Sequence, residues 1–390
     1  MTRSRRNFLA SGLALPVVAS ATRSEQAPPA PARPQSPAKA RFSAPELRYK
    51  VLGKTGLKVT SVGFGCMITS DGSVVERAAD LGITYFDTAR VYQSGNNERM
   101  VGAALKKKRK DFVLSTKSGA KTKEEALANL DTSLKELGTD FVDIWYLHSK
   151  TKPEEVTDGL IEAQQIAKKA GKIRFAGVST HAGQKELIPF LARNPNVDVI
   201  LTQYNFSMES FMNDVIDQAA KAGKGVVAMK IMAGGARRGE PAVLEKLKRE
   251  GAPLAALKWV VRNPNVHTTV PSMTDMDQLE ENLKACAQPF SAADEKVLAL
   301  QLEHIRPIYC RMCGECEGQC RQGLPVADVL RFLTYADGYG QFALGRERFL
   351  ELDAAHTAVR CAECPGCTVQ CPHGVLVAQR LIRAQDLFAC

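Results

Sequence analysis

The chain has 390 residues, a formal net charge of +10 and 11 cysteines. Hydrophobic residues make up 45% of it and charged residues 24%, which excludes a wholly disordered chain and allows a well-buried core. No run of about 18 apolar residues occurs, so no ordinary membrane-spanning helix is predicted. Nine of the cysteines lie in residues 310–390, and this concentration favours a local cofactor-binding module over a general disulfide framework.

Residues 1–21 have the pattern of an export signal. The motif SRRNFL at 4–9 precedes a short apolar stretch, and ASA at 19–21 forms a small-residue cleavage pattern. Paired arginines before a short apolar run are typical of twin-arginine signals. We therefore predict export to the periplasm by the twin-arginine machinery. A basic start before a buried helix is the alternative.

Residues 22–46 are predicted to be an extended tether, because they contain six prolines and have no core pattern of their own. Three arginines in the signal and a basic surplus of two in the tether leave the rest of the chain near +5. The one dense basic run, KKKRK at 106–110, suits the negative end of a helix dipole. Nucleic-acid binding is therefore not predicted.

From residue 47 to residue 290, short apolar runs alternate eight times with helical patterns. The runs are rich in Val, Ile and Phe, which is typical of parallel strands covered on both faces. Eight such units predict an α/β fold, a (β/α)8 TIM barrel rather than an open sheet. Residues 47–60 predict a hairpin that closes the barrel bottom. The predicted strands are 62–66, 84–87, 112–117, 142–148, 174–179, 199–204, 226–231 and 268–271. The predicted helices are 72–81, 97–109, 122–137, 153–170, 184–193, 209–222, 252–262 and 274–287.

The predicted strands end on polar residues, although their interiors are apolar. In a barrel of this kind, chemistry gathers at the carboxyl ends of the strands. Asp87, Lys117 and His148 end three successive strands, so we expect an ionisable cluster around one mouth. A purely structural ion network is the alternative. Further strand ends carry Cys66, Ser179, Gln203, Tyr204, Lys230 and Ser272.

Tyr92 follows Asp87 by five residues and is the candidate proton donor of this cluster. A tyrosine hydroxyl has a pKa near ~10, and a nearby lysine cation lowers it by stabilising the phenolate. Asp87 can hold Lys117 in place and keep it charged, while His148 can orient a carbonyl oxygen over Tyr92. Such a set suits protonation of a carbonyl oxygen while hydride arrives at the carbon.

These residues stand in motifs that resemble the aldo-keto reductase superfamily, in particular its iron-sulfur-bearing branch. The resemblance runs in order from about residue 47 to residue 290. It implies that Tyr92 is the general acid/base, that Asp87 and Lys117 tune it, and that His148 orients the substrate. The matching motifs are LGKTGLKV at 52–59, FDTA at 86–89 with Tyr92, NE at 97–98, STK at 115–117, YLHS at 146–149, GVS at 177–179, QYN at 203–205 and LxEN at 279–282. The end of the seventh strand, MK at 229–230, resembles the iron-sulfur-bearing members, although Ile231 replaces their proline.

The same resemblance implies a nicotinamide cofactor, NAD(P), extended across the barrel mouth. Ser179 and Gln203 would hold the carboxamide, and Tyr204 would stack on the nicotinamide ring. Lys230, at the end of the seventh strand, belongs to the same predicted set. The phosphate and adenine end would lie along Ser272, Met273, Gln278, Glu281 and Asn282.

Residues 291–390 are predicted to form a small, mainly helical, ferredoxin-like iron-sulfur domain that packs against the barrel mouth, with a helix over Val326–Tyr335 between its two cysteine motifs. Two runs have the bacterial ferredoxin spacing for [4Fe–4S] clusters, in which the fourth cysteine of each run ligates the other cluster. A zinc site and disulfide bonds are the alternatives. Zinc sites use paired cysteines, however, and cysteines spaced this closely are geometrically poor for separate disulfides. We assign one cluster to Cys310, Cys313, Cys316 and Cys371, and the other to Cys361, Cys364, Cys367 and Cys320.

Together these patterns predict an oxidoreductase that interconverts a small-molecule carbonyl and an alcohol by nicotinamide hydride transfer. Hydride moves two electrons and a cluster moves one, so direct exchange needs an intermediary. The clusters therefore either support the structure or serve an external electron carrier. The alternative from another class is an exported electron-transfer or redox-sensing binding protein with a non-catalytic barrel.

Overall fold

A computed structural model describes Phe42, residues 45–234 and residues 241–389. The predicted export signal and nearly all of the predicted tether lie outside these described residues. Across the described ranges, no helix combines the length and apolar character needed to cross a membrane. The barrel and the C-terminal helices belong to one compact unit.

Eight parallel strands form the centre of the molecule and confirm the predicted TIM barrel. They are hydrogen-bonded in chain order, and a bridge between Gly65 and Ser272 joins the last strand to the first. Backbone bonds from Gly63 to Thr269 (2.8 Å) and from Gly65 to Pro271 (2.9 Å) complete the closure. After a hairpin of β1 (Tyr49–Val51) and β2 (Lys58–Thr60), the barrel strands are β3 (Phe64–Gly65), β4 (Tyr85–Asp87), β5 (Val113–Ser118), β6 (Val142–Leu147), β7 (Ile173–Thr180), β8 (Val199–Gln203), β9 (Gly225–Met229) and β10 (Thr268–Thr269).

The helices surround the strands and follow the predicted pattern with small shifts. The predicted helix 153–170 begins only at Asp158, because Pro153–Glu155 forms a 3-10 turn and Thr157 caps the helix by accepting from the Leu160 amide. One helix, α7, was not predicted. The barrel helices are α1 (Gly72–Asp80), α2 (Asn96–Leu105), α3 (Lys123–Leu137), α4 (Asp158–Lys169), α5 (Gln184–Arg193), α6 (Phe211–Lys221), α7 (Pro241–Arg249), α8 (Ala252–Val261) and α9 (Met276–Leu283).

The basic run at 106–110 lies at the end of α2, in a 3-10 turn over Lys106–Asp111. Arg109 folds back from this turn over the Phe141 ring, at 4.3 Å from its centroid. Its guanidinium donates to the backbone oxygen of Phe141 (2.9 Å) and pairs with Asp143 (3.0 Å). Arg109 therefore fastens the end of α2 to the sheet, whereas the four lysines of the run are exposed.

The hairpin β1–β2 closes the bottom of the barrel. Leu52, Leu57 and Val59 are buried in one apolar cluster with residues at the starts of the barrel strands. Gly53 lies so close to the strand layer that an added Cβ would stand 2.4 Å from the backbone nitrogen of Gly225. Its φ of +53° also favours glycine, so this turn depends on that residue.

The segment after the barrel is mainly helical, as predicted, and its first helix packs on the barrel. Leu298 of this helix contacts Ala255 and Ala256 of α8, and Asp294 pairs with Lys258 at 2.7 Å. A separate apolar core, with Leu333, Phe349 and Phe388 at its centre, joins the later helices. The C-terminal helices are α10 (Ala292–Ile305), α11 (Val326–Tyr339), α12 (Phe342–Leu350), α13 (Ala354–Thr357) and α14 (Val377–Phe388).

Helix α11 covers the mouth of the barrel. The Lys230 ammonium, just after β9, lies 5.2 Å from the ring centroid of Tyr335 and 4.8 Å from that of Tyr339. Met67, just after β3, packs against the C-terminal apolar core. The two strand ends at which chemistry is expected therefore face the helices of the cysteine-rich region.

Candidate active site

Asp87 and Lys117 form a buried ion pair at the ends of the neighbouring strands β4 and β5. The Lys117 ammonium lies 2.5 Å from a carboxylate oxygen of Asp87 and donates to the backbone oxygen of Thr88 at 2.7 Å. The Ser115 hydroxyl donates to the other Asp87 oxygen at 2.6 Å. Lys117 is 1% exposed and Asp87 4%, and charges buried this deeply persist only when they are paired and hydrogen-bonded.

Tyr92 lies directly beyond this pair, at the start of a 3-10 turn. The Lys117 ammonium is 5.0 Å from the centroid of its ring. The His148 ring meets the Tyr92 ring edge-to-face, at 6.1 Å between centroids and 78° between planes. The structure thus brings all four predicted catalytic residues together at one end of the barrel.

The loop that carries Tyr92 is held in a strained conformation. Gln93 and Ser94 have φ values of 51° and 52°, which side-chain-bearing residues rarely adopt. The Gln93 side-chain amide donates to the backbone oxygen of Thr69 at 2.9 Å. Asn97 donates to the backbone oxygen of Cys66 at 2.7 Å, so both bonds hold the loop against the end of β3.

A buried network behind the loop explains the NE motif, which sequence reasoning found only through the family resemblance. Glu98 accepts a hydrogen bond from Thr116 at 2.6 Å and pairs with Arg90. Thr88 donates to the side-chain oxygen of Asn97 at 2.6 Å. These contacts fix the path of the chain from Asp87 to the helix that follows Tyr92.

Burial sets the protonation states at this end of the barrel. It raises the pKa of the Tyr92 hydroxyl well above its usual range, and the Asp87 carboxylate adds to the rise. This direction is opposite to the lowering by Lys117 that the sequence predicted, and Tyr92 is held protonated. Burial also lowers the pKa of His148 well below its usual value, with contributions from Lys117 and Arg348. His148 is consequently neutral near neutral pH.

Tyr92 and His148 face a cavity of about 420 Å³. This volume lies in the ~300–1,000 Å³ range of small-molecule sites. Barrel loops form one wall, and side chains of α11 and α12 form the other. Packing of the C-terminal domain against the barrel mouth was predicted, but the residues that form this second wall were not. Its lining residues are Arg331, Phe332, Tyr335, Leu344 and Arg348.

Ser179 and Gln203, predicted to hold the nicotinamide carboxamide, lie buried at the ends of the adjacent strands β7 and β8. The Ser179 hydroxyl accepts from the Ser149 amide at 2.9 Å. The Gln203 amide nitrogen donates to the Tyr309 hydroxyl (3.2 Å) and to the Arg311 backbone oxygen (3.3 Å). Two neighbouring polar side chains at strand ends fit a carboxamide, although Gln203 is shared with the segment before the first cysteine motif.

Tyr204 does not lie at the barrel mouth, so the prediction that its ring stacks on the nicotinamide is wrong. Its ring packs at 4.9 Å against Trp259 of α8. Its hydroxyl donates to Asn213 at 2.6 Å and accepts from Asn263 at 3.1 Å. Side chains alternate along a strand, so Gln203 pointing toward the mouth sends Tyr204 to the helical layer.

The residues predicted for the phosphate and adenine end do not line the cavity. Met273 is fully buried and its backbone oxygen accepts from Thr69 at 2.7 Å. Gln278 is exposed at the start of α9, where its backbone N–H donates to the Asp275 carboxylate at 2.8 Å. Lys230, by contrast, lines the cavity, and burial lowers its pKa to about 7. Of the remaining residues in this predicted set, Ser272 and Glu281 are half-buried and Asn282 is buried.

The eight cysteines of the two motifs gather in two groups. Four of them line one small cavity, together with Arg311 and His373. In the second group, electrostatic interactions join Cys361 to its three neighbours. Among the described cysteines no disulfide is present. Four thiols around one point form a donor set that fits a [4Fe–4S] cluster. The first group is Cys310, Cys313, Cys316 and Cys371, and the second is Cys320, Cys361, Cys364 and Cys367.

Comparison with known proteins agrees with the barrel and with the cysteine groups. Residues 70–299 match the aldo/keto reductase family, and residues 307–375 match the 4Fe-4S dicluster domain. The chain belongs to the aldo/keto reductase family. It is 26% identical over 306 residues to an uncharacterized oxidoreductase of Bacillus subtilis, covering 67% of this chain and 98% of that protein.

Other relatives of this aldo/keto reductase family member include characterised enzymes. The chain is 28% identical over 302 residues to L-galactose dehydrogenase of Arabidopsis thaliana, covering 67% of this chain and 94% of that enzyme. Among solved structures, the holo form of an aldo-keto reductase from Bacillus halodurans superimposes with a TM-score of 0.56 at 28% identity, covering 65% of this chain and 96% of that one. Both similarities cover about two thirds of this chain.

Proposed function

We propose that this protein interconverts a carbonyl and an alcohol, with Tyr92 as the proton donor. The observation that carries the proposal is the buried Asp87–Lys117 pair beneath Tyr92, with His148 on the same cavity. A tyrosine kept protonated by burial can give its proton to a carbonyl oxygen. Membership of the aldo/keto reductase family favours an oxidoreductase, and the arrangement of these four side chains favours proton transfer to a carbonyl oxygen.

Each of the four side chains would have its own role in this reaction. Tyr92 donates its proton to the carbonyl oxygen, and the Lys117 cation 5.0 Å from its ring stabilises the phenolate that remains. Asp87 holds Lys117 charged and fixed. The neutral His148 ring can donate a hydrogen bond to the same carbonyl oxygen and so orient it. NAD(P), when bound, supplies hydride to the carbonyl carbon, and Ser179 with Gln203 would hold its carboxamide.

Two [4Fe–4S] clusters, one in each cysteine group, complete the proposal. A cubane cluster exchanges single electrons, so these clusters either support the C-terminal helices or serve an external electron carrier. Export by the twin-arginine route to the periplasm is proposed from the pattern at 1–21. That route suits a protein that receives its clusters before it crosses the membrane.

The test uses the full chain, purified without oxygen and with its iron intact. Aldehyde reduction is followed with NADH and with NADPH for the wild type and for Tyr92→Phe. We expect the substitution to lower kcat by about 10²–10⁴-fold, the usual contribution of a positioned acid. Tyr49→Phe, in the hairpin at the other end of the barrel, is the matched control. Unchanged activity in Tyr92→Phe, or none in the wild type, would favour the electron-transfer or redox-sensing alternative.

A further inference from the structure

The cavity beside Tyr92 has an unusual balance of charge. Within the described part of the chain, five lysine or arginine side chains line it and one carboxylate does. The carboxylate belongs to Glu155, which already accepts from the backbone amides of Thr151 (2.6 Å) and Lys152 (3.4 Å). It caps a turn and offsets part of the positive charge, chiefly that of Lys150, so the cavity keeps an excess of basic side chains. The five cations are Lys121, Lys150, Lys230, Arg331 and Arg348.

Two of these cations come from the C-terminal helices and are paired only on one side. Arg331 of α11 binds Asp328 at 2.8 Å, and Arg348 of α12 binds Glu351 at 2.6 Å. Neither of those carboxylates lines the cavity, and both are at least 41% exposed. The inner ends of the two guanidinium groups thus face a space with little negative charge.

Two buried polar atoms in residues that line the cavity, one from α11 and one from the loop after β7, have no hydrogen-bond partner among the described residues. They are Nε of Arg331 and Nδ1 of His181. His181 is only 5% exposed, and a buried donor or acceptor without a partner costs about 1–3 kcal/mol. A polar ligand in the cavity would satisfy both atoms, and an anion would satisfy the arginine best.

The electrostatics of the neighbouring groups point the same way. After burial, the main cause that lowers the pKa of Lys230 is the charge of Arg331. The charges of Lys230 and Arg331 likewise lower the pKa of His181. Cations that repel one another across a small space are stabilised when an anion enters it.

We propose that this cavity takes a carbonyl substrate that carries a carboxylate or phosphate group, held by Arg331 and Arg348. The inference rests on the proposed carbonyl chemistry for the reacting end of the molecule, whereas anion binding itself can be measured without turnover. The iron-sulfur region would then supply the substrate's anion site, and the barrel would supply the proton donor.

The first experiment measures binding of oxalate and of inorganic phosphate to the iron-loaded full chain by calorimetry. We expect Arg331→Gln and Arg348→Gln each to weaken binding by about 10-fold or more, the effect of losing a charged hydrogen bond. Arg331→Lys should recover part of it. Arg346→Gln also removes one positive charge from α12, but outside the cavity wall, and it should leave anion binding unchanged. The thermal midpoint of each variant shows whether it is folded.

The second experiment compares kcat/KM for matched substrates, butanal against 4-oxobutanoate and glycolaldehyde against its phosphate. In one of the two pairs, we expect kcat/KM to be higher for the charged aldehyde than for its neutral counterpart. In Arg331→Gln this difference should vanish, because kcat/KM falls for the charged aldehyde and stays the same for the neutral one. The two pairs distinguish carboxylate from phosphate.

The possible outcomes separate the two proposals. Anion binding that depends on Arg331, with no aldehyde reduced, would support the anion site and sink the carbonyl chemistry. Aldehyde reduction without anion binding or charge preference would overturn the anion site alone. Displacement of the bound anion by NADP in a one-to-one ratio would assign the cations to the cofactor and also overturn it.

Discussion

The side-chain amide of Gln203 donates to the backbone oxygen of Arg311 at 3.3 Å, which joins the end of a barrel strand to the residue beside Cys310. The same nitrogen reaches the Tyr309 hydroxyl at 3.2 Å. The proposed carboxamide site and the proposed cluster of Cys310 are therefore linked through one side chain. A substitution at the carboxamide site should therefore alter the environment of the cluster, and loss of the cluster should alter the carboxamide site.

Replacement of Gln203 tests this link. Gln203→Leu removes both bonds, and we expect a stability loss of about 1–3 kcal/mol, because buried partners are left unsatisfied. The electron paramagnetic resonance spectrum of the reduced cluster at Cys310 should also change. Gln288→Leu, an exposed residue after α9, should alter neither the thermal midpoint nor the spectrum. An unchanged spectrum in Gln203→Leu would show that these hydrogen bonds do not affect the cluster at Cys310.

The crosswise ligation of the two clusters can be tested by pairs of substitutions. Cys371 lines the same cavity as Cys310, although it stands in the second motif. Cys310→Ala and Cys371→Ala combined should therefore cost about four iron atoms per chain, the content of one cluster. Cys310→Ala combined with Cys361→Ala should cost both clusters.

Iron analysis after anaerobic reconstitution gives the readout for these variants. Cys286→Ala, a buried cysteine of the barrel that belongs to neither group, should keep all of the iron. If the Cys310 and Cys371 double variant lost both clusters, each motif would hold its own cluster and the assignment would be wrong.

The buried ion pair predicts a distinct pattern of stability. Asp87→Asn leaves the Lys117 ammonium buried without its counter-charge, and we expect a loss of about 3–5 kcal/mol. Asp87→Asn combined with Lys117→Met should cost less than the sum of the two single changes, because the orphan charge is gone. Thermal midpoints of the three variants measure the coupling. Additive effects would contradict an interacting pair.

Acid should destabilise the protein through its buried histidines. Burial holds the pKa of His148 and His181 well below the ~6.5 of a free imidazole. Below ~6.5 the unfolded chain takes up protons that the folded protein does not, so the free energy of unfolding falls with falling pH and rises with pH through that window. We expect His181→Gln to flatten the dependence of the thermal midpoint on pH between ~5 and ~6.5.

His356→Gln, a change outside the cavity, is the control for this pH effect. It should leave the slope of midpoint against pH as it is in the wild type. A slope that His181→Gln does not reduce would mean that His181 is protonated in the folded protein or that other groups dominate acid unfolding.

The barrel and the positions of its polar strand ends could be predicted from sequence, because buried parallel strands leave continuous apolar runs. Asp87, Lys117 and His148 ended such runs, and the structure places them together. The position of Tyr204 was mispredicted, since it follows Gln203 directly and a motif does not state which of two neighbouring side chains points inward. Alternation along β8 decides that point.

The residues of the second wall of the cavity could not be predicted. A helix over Val326–Tyr335 and its packing against the barrel mouth were expected, but the side chains that meet there depend on contacts between segments more than 100 residues apart. The cation–π contacts of Lys230 with Tyr335 and Tyr339 are such contacts. Local patterns carry no information about them, so the charge of the cavity emerged only in three dimensions.

Helices α11 and α12 occupy the stretch between Cys320 and Cys361, so a proposed iron ligand stands on each side of the wall they build. Iron starvation or oxidative damage would then loosen this wall while Tyr92 and Lys117 stayed in the closed barrel. The protein would lose its ability to choose a substrate before it lost its ability to move a proton.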